Sequence, residues 1–236
     1  MRLNKYISDT GLCSRREADE LIEKGRVTVD GSRAIVGAVI EAGAEVLVDG
    51  NPLRLKNQRG GAKSVYIALN KPVGITCTTE PGVKGNIIEF VDHRERIFPV
   101  GRLDKDSEGL ILLTNNGDIV NEILRSENRH EKEYLVAVNK PVTDEFVVAM
   151  ARGVRIHGQM TKPCKVYKMG KFGFRIILTQ GLNRQIRLMA AALGYRVKQL
   201  CRVRIVNIRL GNLKVGQWRN LTPAELKGLL PHRTEW

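Results

Sequence analysis

Leu110-Ile111-Leu112-Leu113 is apolar on both alternating faces, a pattern that predicts a strand buried on each side. Directly ahead of it lies the charged stretch Arg102-Leu103-Asp104-Lys105-Asp106-Ser107-Glu108, entered through Gly101 and left through Gly109. Polar groups pressed against a buried strand cost free energy unless they are paired, so Arg102 and Asp104 are candidates for a site. Further strands are predicted at Val65–Leu69, Tyr134–Val138, Gly173–Leu178 and Val203–Ile208. Helices are predicted over about 118–125, over 143–152 after Thr143, and from Asn183 to Leu193 before Gly194. This order suits an α+β domain with a mixed, mainly antiparallel sheet and flanking helices better than a regular βαβ array.

The N-terminal segment predicts a separate small α/β unit. Leu3 and Ile7 mark a short helix ending at Gly11. Ser14-Arg15-Arg16-Glu17 is a capping box, followed by Ala18, Leu21 and Ile22 at helical spacing and by Gly25 where the helix stops. Val27-Thr28-Val29 and Val46-Leu47-Val48 each close on an Asp-Gly turn, as hairpin strands do. The polar, glycine-containing stretch Lys56–Lys63 has no apolar period and is expected to be a linker, giving a unit at 1–55, a linker at 56–63 and a larger domain at 64–236.

Charge sharpens the picture more than composition does. The 236 residues, 42% hydrophobic and 27% charged, fit a folded protein, and no apolar run approaches the ~20 residues that a membrane span needs. The N-terminus lacks the apolar core of a signal peptide, so a cytoplasmic protein is expected. The net charge of +14 is one-sided: residues 149–236 hold eighteen Lys and Arg against only Glu225 and Glu235. A field of that sign in a folded segment gathers phosphates, and nucleic acid is the expected partner; no basic amphipathic helix with an aromatic face points to a membrane. In the N-terminal unit Arg2, Lys5, Arg15, Arg16, Lys24 and Arg26 lie on or near two helices. Arginines in a first helical turn are unfavourable unless an anion joins them, although the acids at Glu17, Asp19, Glu20 and Glu23 could balance them as a solvated face.

Cofactor chemistry finds no foothold. There is no phosphate loop, no dinucleotide fingerprint and no HExxH; Cys13, Cys77, Cys164 and Cys201 are scattered, so neither structural zinc nor any cofactor is expected. Asp104, Asp106 and Glu108 alternate as Mg²⁺ ligands can, but Arg102 and Lys105 inside the run oppose a divalent cation. The alternative is one carboxylate acting with one arginine. Arg184 and Arg187 share a face near the start of the helix at 183–193, and Arg187 is the candidate partner that keeps Asp104 ionised; a structural salt bridge would place the same residues together.

The order helix, Gly11-to-Arg16, helix, Gly25-to-Gly31, Val46-to-Gly50 resembles the S4 RNA-binding domain. Arg102-Leu103-Asp104 with Gly109-to-Thr114, the upstream Asn70-Lys71-Pro72-Val73-Gly74, the strand Lys132-to-Val136 and Gly181-to-Met189 together resemble the RNA pseudouridine synthases, in their S4-containing ribosomal branch. Ser107 stands where Thr is more common and keeps the hydroxyl. The resemblance implies an isomerase that turns a uridine of 23S ribosomal RNA into pseudouridine without a cofactor, as a monomer, with transfer RNA as an open second substrate. It assigns Asp104 as the essential carboxylate, Arg187 as its partner, Tyr134 as the surface on which the base stacks, and Leu200 as a pocket wall. Arg102 would fill the gap left by an extruded nucleotide, and Arg184 and the N-terminal Arg2, Lys5, Arg15, Arg16 and Arg26 would contact RNA. Two other classes fit the same charge: a non-catalytic ribosome-assembly factor and a metal-dependent RNA-cleaving enzyme.

Overall fold

The structure, a computed structural model, describes residues 1–55, 64–80, 82–124 and 130–233. It divides into two compact units, Met1–Lys63 and Ser64–Trp236. The stretch expected to be a linker, 56–63, lies outside the described residues.

The first unit holds α1 (Leu3–Asp9), α2 (Arg15–Glu23), β1 (Val27–Val29), β2 (Ser32–Arg33), β3 (Val46–Val48) and β4 (Asn51–Pro52). The capping box closes as the sequence demands. Glu17 N–H donates to Ser14 Oγ at 3.2 Å and Ser14 N–H donates to the Glu17 carboxylate at 2.6 Å. Both Asp-Gly pairs have positive φ, at 49° and 79° for Asp30-Gly31 and 50° and 75° for Asp49-Gly50, the geometry that matches the twist of a two-residue hairpin. Leu3, Ile7, Ala18, Ile22, Val27, Val46 and Val48 form the core between the helices and the four-stranded sheet β2-β1-β3-β4.

The second unit is built on β5 (Tyr66–Lys71), β6 (Phe98–Val100), β7 (Glu108–Thr114), β8 (Lys132–Val138), β11 (Lys165–Met169), β12 (Gly173–Leu178), β13 (Val197–Ile205), β14 (Ile208–Arg209) and β15 (Trp218–Asn220). A small hairpin, β9 (Arg155–Ile156) and β10 (Gln159–Met160), stands apart from this sheet. The order is β11-β12-β8-β13-β7-β5-β15, with β6 added to β7 and β14 to β13; β13 and β7 run parallel and every other pair antiparallel. The helices are α3 (Ile87–Val91), α4 (Asp118–Leu124), α5 (Asp144–Arg152), α6 (Gln185–Ala192) and α7 (Pro223–Leu229). This is the α+β architecture that the element order implied. None of the helices is long and apolar enough to cross a membrane, among the described residues.

β7 is buried on both faces, as its unbroken apolar run requires. Leu110 and Leu112 join Tyr66 and Ala68 of β5 beneath α4 and α7, while Ile111 and Leu113 join Ile67 and Leu69 against α3 on the other side. At about 1.5–3 kcal/mol for each fully buried side chain, this strand pair anchors the sheet at the point where the site is built. A third cluster, with Phe146, Phe174, Met150 and Met189, packs α5 and α6 on the β8-β12 half.

Several boundaries differ from expectation: β5 covers Tyr66–Lys71, not Val65–Leu69, and β8 begins at Lys132, not Tyr134. The strand expected at Val203–Ile208 runs from Val197 to Ile205 and then turns: Val206 takes φ 53° and leads into β14. A β-branched residue continued the apolar pattern through that turn, while exposed Lys198 and Gln199 hid the strand's first half. α6 begins at Gln185, not Asn183, because Arg184 has φ 49° and acts as the N-cap. α4 ends at Leu124, and residue 125 of its expected range lies outside the described residues.

Candidate active site

The segment between β6 and β7 carries Arg102, Asp104 and Asp106, and it is pinned from below by the end of β5. Lys71, fully buried, donates from Nζ to Ser107 O at 2.8 Å and to Pro72 O at 2.9 Å. Gly74 N–H donates to Lys105 O at 2.7 Å, Leu103 N–H to Cys77 Sγ at 3.4 Å, and Ser107 N–H closes the turn on Asp104 O at 3.0 Å. Burial pushes the Lys71 ammonium below its ordinary pKa, against the opposing fields of Cys77, Asp104 and Asp106. A buried cation tied to two carbonyls is costly to form and hard to move, so it fixes the turn on which Asp104 sits.

The start of α6 faces this turn. Arg184 donates to both oxygens of Asp106, at 3.2 and 3.1 Å, and its Nη1 lies 3.7 Å from Asp104 Oδ2. Arg187, with only 12% of its side chain exposed, donates from Nη2 to Asp106 O at 2.8 Å and to Ser107 Oγ at 3.0 Å. Its Nε has no hydrogen-bond partner and points toward the carboxylates, 3.5 Å from Asp106 Oδ2 and 4.0 Å from Asp104 Oδ2. Asp104 thus faces two guanidinium groups without being locked to either, while the hydrogen-bonded fork forms on its neighbour. Burial opposes ionisation of Asp106, but the Arg184 hydrogen bonds and the charge of Arg187 outweigh it and hold that carboxyl below its usual range. The hydroxyl at Ser107 serves as an acceptor for Arg187.

The three alternating carboxylates do not converge. Asp106 is turned to Arg184, and Glu108 accepts from Gln199 Nε2 at 2.5 Å. Among the described residues no group of three His, Cys, Asp or Glu is placed to hold a metal ion.

Asp104 opens onto a cavity of about 690 Å³ whose wall includes Arg102, Lys132, Tyr134, Leu200 and Arg202. Leu200 is buried there, Arg102 is exposed at the rim, and Tyr134 is half-buried. Tyr134 on β8 is the cross-strand partner of Arg202 on β13, so the two side chains share a face of the sheet. Arg202, only 4% exposed, donates from Nε to Leu110 O at 2.7 Å and from Nη1 to Arg102 O at 3.5 Å, with its guanidinium 6.0 Å from the Tyr134 ring centre. Its own backbone lies so close to β7 that a Cβ at Gly109 would sit 2.3 Å from Arg202 O; that approach and a φ of 101° require glycine.

Comparison with known proteins decides the family. Residues 65–192 match the RNA pseudouridylate synthase family and residues 1–46 match the S4 domain. The chain belongs to the RNA pseudouridine synthase family. It is 58% identical over 225 residues to the dual-specificity RNA pseudouridine synthase RluF of Salmonella typhi, covering 95% of this chain and 77% of that protein. The Escherichia coli K12 RluF is 56% identical over 226 residues, covering 96% of this chain and 77% of the relative. A ribosomal small subunit pseudouridine synthase A of Salmonella typhimurium is 36% identical, covering 96% of this chain and 98% of that one. A crystal structure of a pseudouridylate synthase superposes with a TM-score of 0.71 at 30% identity, covering 98% of this chain and all of the other. The synthase is therefore an isomerase acting on uridine in RNA.

The candidate residues of the synthase fall into two groups. Asp104, Arg102, Tyr134, Arg184, Arg187 and Leu200 come together within the catalytic unit, five of them on the cavity wall with Arg187 behind Asp106 and Ser107. In the S4 unit Arg2, Arg15 and Arg16 are exposed and carry no ion pair among the described residues, whereas Lys5 is paired with Asp9 and Arg26 with Asp49. Sequence inspection missed Lys71, Lys132 and Arg202 as site residues. Each is a cation on a sheet strand that lies partly or wholly out of solvent, and that misfit with its neighbours was the available signal.

Proposed function

We propose that the synthase converts a specific uridine of 23S ribosomal RNA into pseudouridine on an extruded nucleotide, with Asp104 as the essential carboxylate and no cofactor. The observation that carries this is a carboxylate on the wall of a cavity, 3.7 and 4.0 Å from two guanidinium groups and hydrogen-bonded to neither. Only the ionised form can act at the ribose, either on C1′ as a nucleophile or on a ribose proton as a base. Once the N-glycosidic bond is broken, the base turns and rejoins the sugar through carbon. Tyr134 gives it a flat apolar floor and Leu200 a wall.

Arg102, exposed at the rim, fills the stack that the nucleotide leaves, offsetting a cost of a few kcal/mol for unstacking. Arg184 at the rim and Arg2, Arg15 and Arg16 in the S4 unit contact phosphate, while Lys5 and Arg26 reach RNA only by exchanging Asp9 and Asp49 for it. Similarity to relatives named dual-specificity supports a second RNA, for which transfer RNA is the candidate.

The test is release of tritium from carbon-5 of labelled uridine in 23S ribosomal RNA, with no metal added. Release by the native protein and none by Asp104→Asn is the expected pair of results. No release from any ribosomal RNA by the folded native protein would overturn the assignment.

A further inference from the structure

β8 opens Lys132-Glu133-Tyr134 directly after Glu131, yet Lys132 pairs with neither acid beside it. Both acids turn to the other face, where Arg204 holds them: Nη2 lies 2.9 Å from Glu131 and Nε 2.7 Å from Glu133. A β-bulge between Arg202 and Arg204 makes this possible. Arg202 pairs with Tyr134 and Arg204 with Glu133, so the two arginines, two apart in sequence, serve opposite faces of β8. Lys132 is left on the face of Tyr134, lining the cavity, without a carboxylate partner among the described residues. Burial lowers the pKa of its ammonium, and the charge of Arg202 lowers it further. Behind it the Arg202 Nη2 is buried with no hydrogen-bond partner. Two under-satisfied cations on one cavity wall are unfavourable for the empty protein and suit an anion that forms there.

We propose that Lys132 is a catalytic residue that stabilises the negative charge on the uracil base while it is detached from the ribose, with Arg202 as a positioning residue behind it. The inference rests on the Asp104 cavity being the uridine site. Heterolysis of the C1′–N1 bond sends its electron pair to the base, leaving a uracil monoanion with charge shared over N1 and the two carbonyl oxygens. The sugar is made good by Asp104, through an oxygen bond to C1′ or by taking a ribose proton. The anion then bonds to C1′ through C5 as the Asp104–C1′ bond breaks or, on the other route, as Asp104 returns the ribose proton; C5 gives up its proton to solvent and N1 gains one, so that the product is an isomer of the substrate. Charge on the base is largest between these two bond changes, and a fixed cation at that point lowers the barrier.

The decisive measurement compares leaving groups. A synthetic stem-loop spanning the site mapped by tritium release is made with uridine or with 5-fluorouridine, whose detached base is the more stable anion. Single-turnover loss of the target nucleoside is followed by reversed-phase chromatography of nuclease digests, which separates substrate and product nucleosides of equal mass. Lys132→Met is expected to slow the uridine substrate by about 10²-fold and the 5-fluorouridine substrate by less than about tenfold. Lys132→Arg, which keeps the charge, is expected to restore most of the rate, and unchanged thermal unfolding shows that both variants are folded. Equal losses on the two substrates, no loss on either, or a defect confined to salt-dependent RNA affinity, as a phosphate contact would give, each overturns the role. Native tritium release on the same RNA separates the two layers: its absence removes the uridine site itself, whereas release with equal losses removes only the role of Lys132.

Discussion

Arg184 grips Asp106 through two hydrogen bonds of 3.2 and 3.1 Å and reaches Asp104 only at 3.7 Å. The better-paired carboxylate is therefore the one held in place, and the looser one, Asp104, is the one proposed to react. Asp104→Asn is expected to lower single-turnover tritium release by on the order of 10⁴-fold or more, the scale for loss of a reacting group. Asp106→Asn loosens a fork that is half-exposed and worth only about 1 kcal/mol, and a loss near tenfold is expected. Equal inactivation of the two variants would mean that both carboxylates take part in the chemistry.

What was legible in the chain follows from local physics. Ser14 and Glu17 announced α2, Thr143 announced α5, the Asp-Gly pairs announced the S4 hairpins, and the apolar run at 110–113 announced the central strand. The same logic was available for α7, where Thr222 and Glu225 form a capping box with Pro223 at the first turn, but this was passed over. β6, β11 and β15 were missed because they are short, polar or at an edge, where neighbouring strands and not their own pattern define them. The site was legible as a set of residues and not as a set of bonds. Arg187 was expected to pair with Asp104; its hydrogen bonds go to Asp106 O and Ser107 Oγ, a choice set by tertiary positions that spacing does not encode. The bulge that separates Arg202 from Arg204 is likewise invisible in an alternating pattern.

Arg102 has no side-chain partner among the described residues, which frees it to leave the rim. If it replaces an extruded nucleotide in the stack, Arg102→Ala should lose about 10- to 10²-fold on folded RNA, the equivalent of a few kcal/mol of unstacking shared with other contacts. On an unstructured strand carrying the same target, where little stacking is lost, the variant should match the native rate. Parallel losses on both RNAs would place Arg102 in substrate contact and not in the stack.

Part of the positive charge is already spent inside the fold: Arg204 on Glu131 and Glu133, Arg219 on Glu225, Arg26 on Asp49. The remaining exposed cations, Arg15 and Arg16 among them, set the salt dependence. With six to ten phosphate contacts, RNA affinity should fall by about 10³- to 10⁵-fold between roughly 50 and 200 mM salt. Replacing Arg15 and Arg16 together by Gln should reduce the slope of log affinity against log salt by about one to two. An affinity that barely changes with salt would show that the excess charge does not face the RNA backbone.

The α7 cap links acid stability to one carboxylate. Glu225 accepts from Arg219 at 2.7 and 2.8 Å and from Thr222 N–H at 2.9 Å, and the Arg219 hydrogen bonds lead in bringing its pKa down to about 2. In the unfolded chain the same group titrates near ~4.3. Because the folded value is the lower one, the stabilisation is complete above the unfolded pKa and disappears as pH falls from there through about 2. The pair is open to solvent on one side, so its worth at neutral pH is about 1 kcal/mol after screening, not the full amount that the shift implies. Glu225→Gln should therefore lower the melting temperature of the catalytic unit by roughly 2–4 °C at pH 7. The gap between native and variant should close as pH drops toward 2, since the protonated native side chain then resembles the amide. A gap of the same size at pH 7 and near pH 2 would assign the effect to helix capping geometry, with no contribution from the charge.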